Sequence, residues 1–401
     1  MGMRERRAKK KVTIVANNLR WFGGGERWVL EVSSRLRKRF DITILNPASG
    51  SEEEWENARK KLPRSYALNG VHVEDITCRS IGVGVSEMSF RMMIPGMKGI
   101  KAIGRIVEGS DIVYQMGMNP FVLLCSLLYA KRMGKRYIIG MHNPLLMRER
   151  PYGGALERLS VWLSAAIQMP LLRYIGEVHV QTETQEKSLL SHGYRGRFYY
   201  IRHFLYTPKR GKRERRRLDR FRVLFVGRLT SHQKGLDMLE KIAGMVLRNN
   251  SHIEMHVVGN GEDSEIIKRL VKRHKGRIVW RGFVNDNELL KEYKSADLFI
   301  FPSRYETPGL TLLEAQRYGL PAVAFRVQGP VDIMKKGFQG RLIRPFDTEA
   351  FARAVIEYSR LHAEKRQAYI KMKCRISKEI EGRYSEALFM RDFSSMLNRQ
   401  H

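Results

Sequence analysis

The feature that most constrains the fold is a repeated alternation of short, uninterrupted apolar runs with helical periodicity. In the first half, Val12–Ala16 reads as a buried strand. A glycine cluster at Gly23, Gly24 and Gly25 follows, then a helix from about Glu26 to Arg37 and a strand at Ile42–Leu45. Val71–Glu74, Asp111–Gln115, Tyr137–Met141 and Glu177–Gln181 are further strand-like runs. Strands apolar on both faces and separated by helices call for a parallel sheet covered on both sides. The second half restarts the pattern. Val223–Val226, Ile253–Val258, Ile278–Trp280, Leu298–Phe301 and Ala322–Phe325 read as strands, with helices at Leu236–Leu247, Ser264–His274, Glu288–Ser295 and Gly309–Tyr318 between them.

Two such α/β halves in 401 residues imply two Rossmann-like, doubly wound domains facing each other across a cleft. The segment Lys209 to Arg220, KRGKRERRRLDR, has almost no apolar residue. It suits a solvated linker, and it would also suit a basic patch for a polyanion. The expected boundaries are 1–205 for the first domain, 206–220 for the linker and 221–380 for the second domain. Residues 381–401 are expected to form a helix packing back on the first domain.

Composition limits the functional classes. Hydrophobic residues make up 43% and charged residues 28%, the range of a globular protein with a real core. No run approaches the roughly twenty apolar residues of a transmembrane helix. The basic start, Met1 to Lys11, leads only into a short strand-like run, which is not a signal-peptide core. Cys78, Cys125 and Cys374 show neither metal-ligand spacing nor a disulfide framework. These features suit a cytoplasmic protein. The formal charge of +32 would attract polyanions: nucleic acid, anionic lipid or phosphorylated substrates. A nucleic-acid-binding protein would need a reading module, and the sequence has no zinc-finger spacing, no aromatic RNA-binding strand and no basic heptad helix.

The densest chemical signal is PSRYETPGLTLLEAQRYGLP, Pro302 to Pro321. A strand ends at Phe301, a loop carries Glu306 and Thr307, and Gly309 opens a helix bearing Glu314. Ligands of parallel α/β sheets bind at such carboxyl ends. Free N–H groups at Gly309, Leu310 and Thr311 would face an oxyanion, helped by the helix dipole. Glu306 would then accept bonds from sugar hydroxyls and Glu314 from the ribose hydroxyls of a nucleotide. On an ordinary amphipathic helix both would be solvated surface charges. The second signal is FVGRLTSHQKG, Phe225 to Gly235. It places Arg228 and Lys234 at the same edge, where cations stabilise a departing diphosphate without a metal.

These two motifs resemble those of the family-4 retaining glycosyltransferases of the GT-B fold, the glycosyl transferase group 1 family. Arg228 with Lys234 six residues on, and Glu306 with Glu314, match the family's spacing. The resemblance implies transfer of a sugar from a nucleotide-diphosphate sugar to a glycan or lipid-linked acceptor, with retention of anomeric configuration. It implies no cofactor and no obligatory metal, the leaving phosphate oxygen serving as base. The chain has no Asp-x-Asp of the kind that holds a metal in the other main glycosyltransferase fold. The resemblance also extends to the first domain. There Gly24 and Gly25 would contact the donor phosphate or the acceptor, and His142, ending RYIIGMH, would orient sugar hydroxyls. Gly259 and Gly261, with Phe283 and Val284, would line the nucleotide pocket. The chain departs from the family at Pro308, where an aromatic residue is usual, and at YIRHFLY after Tyr199, where many members have a Pro-Asn-Gly turn.

Two first-domain stretches, Ser89–Val107 and Leu159–Ile175, mix apolar and basic residues as a peripheral protein at the inner face of an anionic membrane would. Ordinary helices packed on a sheet would look the same. The competing readings are a polyanion (nucleic-acid) binding protein and a sugar-nucleotide epimerase or phosphorylase of the same fold; for the transferase no specific nucleic acid is expected as a partner. A dinucleotide oxidoreductase fits less well, because Gly82-Val83-Gly84 lacks the following glycine.

Overall fold

The computed structural model describes residues 8–19, 24–49, 70–83, 90–117, 119–142, 170–205, 220–248 and 250–399. Gly23, the expected linker up to residue 219, and Leu159–Ile175 up to residue 169 lie outside the described residues. The chain divides into two compact units. One comprises Met1–Ile201 with Ala387–His401, and the other Arg202–Glu386.

The first unit is built on strands β1 (Lys11–Val15), β2 (Asp41–Ala48), β3 (His72–Val83), β4 (Phe90–Pro95), β5 (Ile112–Met116), β6 (Arg136–Gly140), β7 (Glu177–Val180) and β8 (Arg197–Tyr200). They form one sheet in the order β4-β3-β2-β1-β5-β6-β7-β8. Every pairing is parallel except β3 with β4. Ile14, Val15, Ile44 and Val113 are fully buried, as strands covered on both faces must be. The stretch Ser89–Val107, read from sequence as one amphipathic segment, is two elements. Pro95 closes the antiparallel edge strand, and an extended Gly96 precedes the helix Met97–Glu108. That helix turns Ile103, Gly104 and Val107 inward and leaves Lys98, Lys101 and Arg105 exposed.

The last helix, Glu386–Asn398, completes this unit. Arg136 of β6 fastens it. Its guanidinium donates to Glu177 Oε1 at 2.9 Å and Oε2 at 2.5 Å, and also to the carbonyls of Met396, Leu397 and Arg399 at 2.8 to 3.2 Å. A cation at the exposed carbonyls of a helix end satisfies acceptors that the helix itself cannot.

The second unit has β9 (Phe221–Val226), β10 (Ile253–Val258), β11 (Ile278–Trp280), β12 (Leu298–Phe301), β13 (Ala322–Phe325) and β14 (Gly340–Ile343). All are parallel, in the order β11-β10-β9-β12-β13-β14. The chain winds outward from β9 through β10 to β11, then returns to lay β12 on the other side of β9. This reversal makes the carboxyl edge of β9 and β12 a topological switch point, where the two following loops part and leave a crevice. The loops that leave this point are Gly227 to Gly235 and Pro302 to Gly309. In the first unit the same reversal occurs between β1 and β5. Each unit is thus a Rossmann-like α/β layer.

Candidate functional site

The site in the second unit is assembled by backbone contacts that only glycine permits. A side chain at Gly259, whose φ is 130°, would collide with the carbonyl of Gly227, and one at Gly261 with Leu229. The close approach lets Gly227 N donate to Val258 O at 3.0 Å, Leu229 N to Asn260 O at 3.0 Å and Gly259 N to Gly282 O at 2.7 Å. The loops after β9, β10 and β11 are therefore tied into one rim. Phe283 stands on that rim 82% exposed, with Val284 half-buried beside it. Arg228 is exposed on the first of these loops.

Lys234 is placed by a short helix, Ser231–Lys234, capped by Thr230 and ended by a left-handed Gly235. A side chain at Gly235 would strike the carbonyl of Pro302. Arg304 braces the two loops. Its backbone N–H donates to Gln233 O at 2.8 Å, its Nε to Ser231 O at 3.0 Å and its Nη2 to Asp237 Oδ2 at 2.5 Å. With both loops held, Lys234 Nζ donates to Glu306 Oε1 and lies 5.3 Å from the centre of the Phe301 ring. Glu306 is almost wholly buried, at 5% exposure.

Beyond Glu306 the chain passes Thr307 and Pro308 to Gly309. Gly309 has a φ of 97° and precedes the helix Leu310–Arg317, whose N-terminus has no side-chain cap. Its first N–H groups, including those of Leu310 and Thr311, supply the positive end of the helix dipole. Ser303 Oγ, Thr307 Oγ1 and Thr311 Oγ1 are buried here without a hydrogen-bond partner. Orphaned buried hydroxyls are costly unless something fills their bonding capacity. Thr307 and Thr311 flank the uncapped start of this helix in sequence, an arrangement whose bonding capacity a polar ligand would fill.

Glu314 sits one turn further along. Tyr293, 2% exposed, donates its phenol to Glu314 Oε2 at 2.8 Å. Tyr293 is carried by the helix Asp286–Ser295, which is fixed in turn by Glu292. That carboxylate takes His256 Nδ1 at 2.7 Å and Arg281 Nε at 3.1 Å. Burial works against its charge, yet these partners hold Glu292 below the usual carboxylate range.

In the first unit, the helix Gly24–Leu36 starts at the β1/β5 switch point, so Gly24 and Gly25 lie in its first turn. A side chain at Gly25 would come within 2.7 Å of Met116 Cε. The same helix brings Trp28 against His142, ring centres 4.2 Å apart, and Phe389 and Phe393 of the last helix pack on the other sides of Trp28. Both ring nitrogens of His142 are engaged. Nε2 lies 2.9 Å from the Tyr114 hydroxyl, and Nδ1 lies 2.9 Å from Gln181 Nε2.

The structure thus joins Lys234 to Glu306, places Thr307, Gly309, Leu310 and Thr311 around one helix start and groups Gly259, Gly261, Phe283 and Val284 on one rim. Gly24, Gly25 and His142 gather in the other unit. Sequence reasoning missed Ser303, Arg304, Tyr293, Tyr114 and Gln181. Arg304, Tyr293, Tyr114 and Gln181 each act through a partner distant in sequence, and Ser303 is a buried hydroxyl without one; no local pattern marks them. Among the described residues no cluster of three or more His, Cys, Asp or Glu could hold a metal ion. None of the described helices is long and apolar enough to cross a membrane.

Comparison with known proteins bears on this site. Residues 220–360 match the family model "Glycosyl transferases group 1". An uncharacterised glycosyltransferase of Methanocaldococcus jannaschii is 36% identical over 138 residues, 33% of this chain and 34% of that protein. A GDP-mannose-dependent alpha-mannosyltransferase of Corynebacterium glutamicum is 31% identical over 136 residues, 34% of this chain and 30% of that protein. The matched segments span about a third of these curated relatives. Over the whole chain, the crystal structure of Anabaena HepE in complex with UDP and glucose superposes with a TM-score of 0.69 at 15% identity, covering 98% of this chain and 100% of that one. The two Rossmann-like units have the GT-B fold, and residues 220–360, within the second unit, are similar to the group 1 glycosyl transferases.

Proposed function

We propose that the protein transfers a sugar from a nucleotide-diphosphate sugar to a hydroxyl of a glycan or lipid-linked acceptor, with retention at the anomeric carbon and without an obligatory metal. The observation that carries this reading is the Lys234–Glu306 pair beside the uncapped N-terminus at Gly309. A cation, a carboxylate and the N–H groups of a helix start converge at the carboxyl edge of the sheet, where ligands of parallel α/β sheets bind.

In this reading Arg228, Lys234 and the N–H groups of Leu310 and Thr311 take the charge that develops on the diphosphate. Glu306 accepts from sugar hydroxyls and Glu314 from the ribose. Phe283 and Val284 flank the base, and Gly259 and Gly261 let the backbone approach it. The bond from the anomeric carbon to the diphosphate oxygen breaks. The acceptor oxygen bonds to that carbon from the same face, and its proton passes to the departing phosphate oxygen. Gly24, Gly25 and His142 serve the sugar and acceptor from the first unit. The names of related proteins carry different bases, GDP in the mannosyltransferase and UDP in the HepE complex.

A lipid-linked acceptor agrees with exposed apolar side chains of the first unit: Met97, Leu128 and Tyr174 are exposed, and Lys131 lies 4.9 Å over the Tyr174 ring. Cations around apolar side chains suit an anionic bilayer surface.

Proton NMR of the product formed from an α-linked donor tests the reading. An α-linked product supports it, and a β-linked product contradicts retention. Release of free or isomerised sugar without acceptor would favour the epimerase.

A further inference from the structure

One group of buried side chains in the first unit lies outside every role assigned above. Tyr114 of β5, Gly140 of β6 and His179 of β7 sit on three neighbouring strands. A side chain at Gly140 would collide with the Tyr114 hydroxyl. The glycine therefore makes room for the phenol, which reaches across β6 to His142 Nε2 at 2.9 Å and His179 Nδ1 at 2.7 Å. His179 Nε2 lies 2.9 Å from the carbonyl of Ile201, the last residue of this stretch of the unit.

The direction of each bond follows from one fixed end. A carbonyl only accepts, so His179 Nε2 carries a proton. Full burial presses His179 down to about 4, so it is neutral and its Nδ1 is a bare acceptor. Tyr114 must give its single proton to that nitrogen. Towards His142 the phenol oxygen can then only accept, and His142 Nε2 must carry a proton. In the neutral ring that leaves Nδ1 bare, and it takes a proton from the Gln181 amide at 2.9 Å. The Gln181 side chain agrees, because its Nε2 faces the ring while its buried Oε1 has no hydrogen-bond partner. Trp28 against the His142 ring leaves it little room to turn.

We propose that Tyr114 and His179 are positioning residues that lock His142 as the Nε2–H tautomer, with both ring nitrogens committed to protein partners, so that His142 shapes the site without exchanging a proton. The inference rests on the assignment of His142 to the sugar site. It deepens that assignment by excluding His142 as the base. The acceptor proton then goes to the departing phosphate.

The test is nitrogen NMR of the full chain labelled at histidine, with His142 assigned by the loss of its signals in His142→Asn, alongside kinetics of Tyr114→Phe. The wild type is expected to show His142 neutral and protonated on Nε2. In Tyr114→Phe the two tautomers are expected to mix. kcat should then fall about tenfold with little change in donor KM, the rate equivalent of one lost orienting bond. An Nδ1–H tautomer or an imidazolium in the wild type overturns the proposal. So does an unchanged kcat in Tyr114→Phe when His142→Asn is impaired. If His142→Asn itself is fully active, the role of His142 in the reaction fails, while the NMR result still stands on its own.

Discussion

Lys234 and Glu306 are bonded side chain to side chain across 72 residues of sequence, at 13% and 6% side-chain exposure. Neither stands at the carboxyl edge by itself. The short helix capped by Thr230 carries one, the loop after β12 carries the other, and Arg304 holds the two supports together. Removing one member of a buried pair leaves the other charge uncompensated. Glu306→Ala is expected to cost about 3 kcal/mol of stability and Lys234→Ala somewhat less. Urea unfolding measures this. Glu306→Gln keeps the shape and part of the hydrogen bonding. It is expected to lose less stability than Glu306→Ala while kcat falls about a hundredfold, the loss typical of a removed electrostatic contact to the reacting group.

Tyr293 donates its phenol to one oxygen of Glu314 and so orients that carboxylate. Tyr293→Phe should therefore weaken nucleotide affinity about fivefold, close to the net worth of one hydrogen bond. Glu314→Ala should weaken it more. Calorimetric titration with the preferred nucleotide checks both. Equal affinities in wild type and Glu314→Ala would remove Glu314 from the donor site.

Glycines at the rim and elsewhere should respond oppositely to a methyl group. Gly259→Ala forces a side chain into the Gly227 carbonyl at a φ of 130°. It is expected to lower stability by more than about 1 kcal/mol and to weaken nucleotide binding as well. A side chain at Gly244, inside the helix Leu236–Arg248, would meet nothing within 4 Å. Gly244→Ala should raise stability by about 0.5–1 kcal/mol with binding unchanged. Thermal unfolding with and without nucleotide separates the two effects.

Burial of His179 also makes a statement about pH. Its folded value, about 4, lies below its ordinary value of 6.5. Between those two values the unfolded chain binds a proton that the folded chain does not. Stability from this group is therefore complete above about pH 6.5 and is lost as pH falls toward 4, by roughly 2 kcal/mol at pH 5. His179→Gln should flatten that part of the curve in urea unfolding at pH 7 and pH 5. An identical slope in the variant would contradict the buried neutral imidazole.

Much of the fold was legible because the central strands are continuously apolar. Ile253–Val258, Ile278–Trp280, Leu298–Phe301 and Ala322–Phe325 stand in the structure with the limits read from sequence. The strands that escaped notice, β4, β8 and β14, lie at sheet edges, where one flank is unpaired and the apolar pattern weakens. The helix read as Glu288–Ser295 starts at Asp286, because Asn285 and Glu288 form a capping box. The site was legible where its residues share a loop, as Glu306 and Gly309 do. It was not legible where a partner comes from another strand or helix, as with Tyr293 for Glu314 and Tyr114 for His142. Helix and strand periodicities report which face of an element is buried, and they carry no information on which distant side chain meets it.

The most direct test of the central claim is thermal stabilisation by a panel of UDP-, GDP- and ADP-sugars, on the wild type and on Glu314→Ala. One nucleotide class, at about 100 times its dissociation constant, should stabilise the wild type by about 2.7 kcal/mol and the variant far less. No stabilisation by any of them, together with tight binding to RNA or DNA, would contradict a donor site at Lys234 and Glu306 and point instead to a polyanion-binding protein.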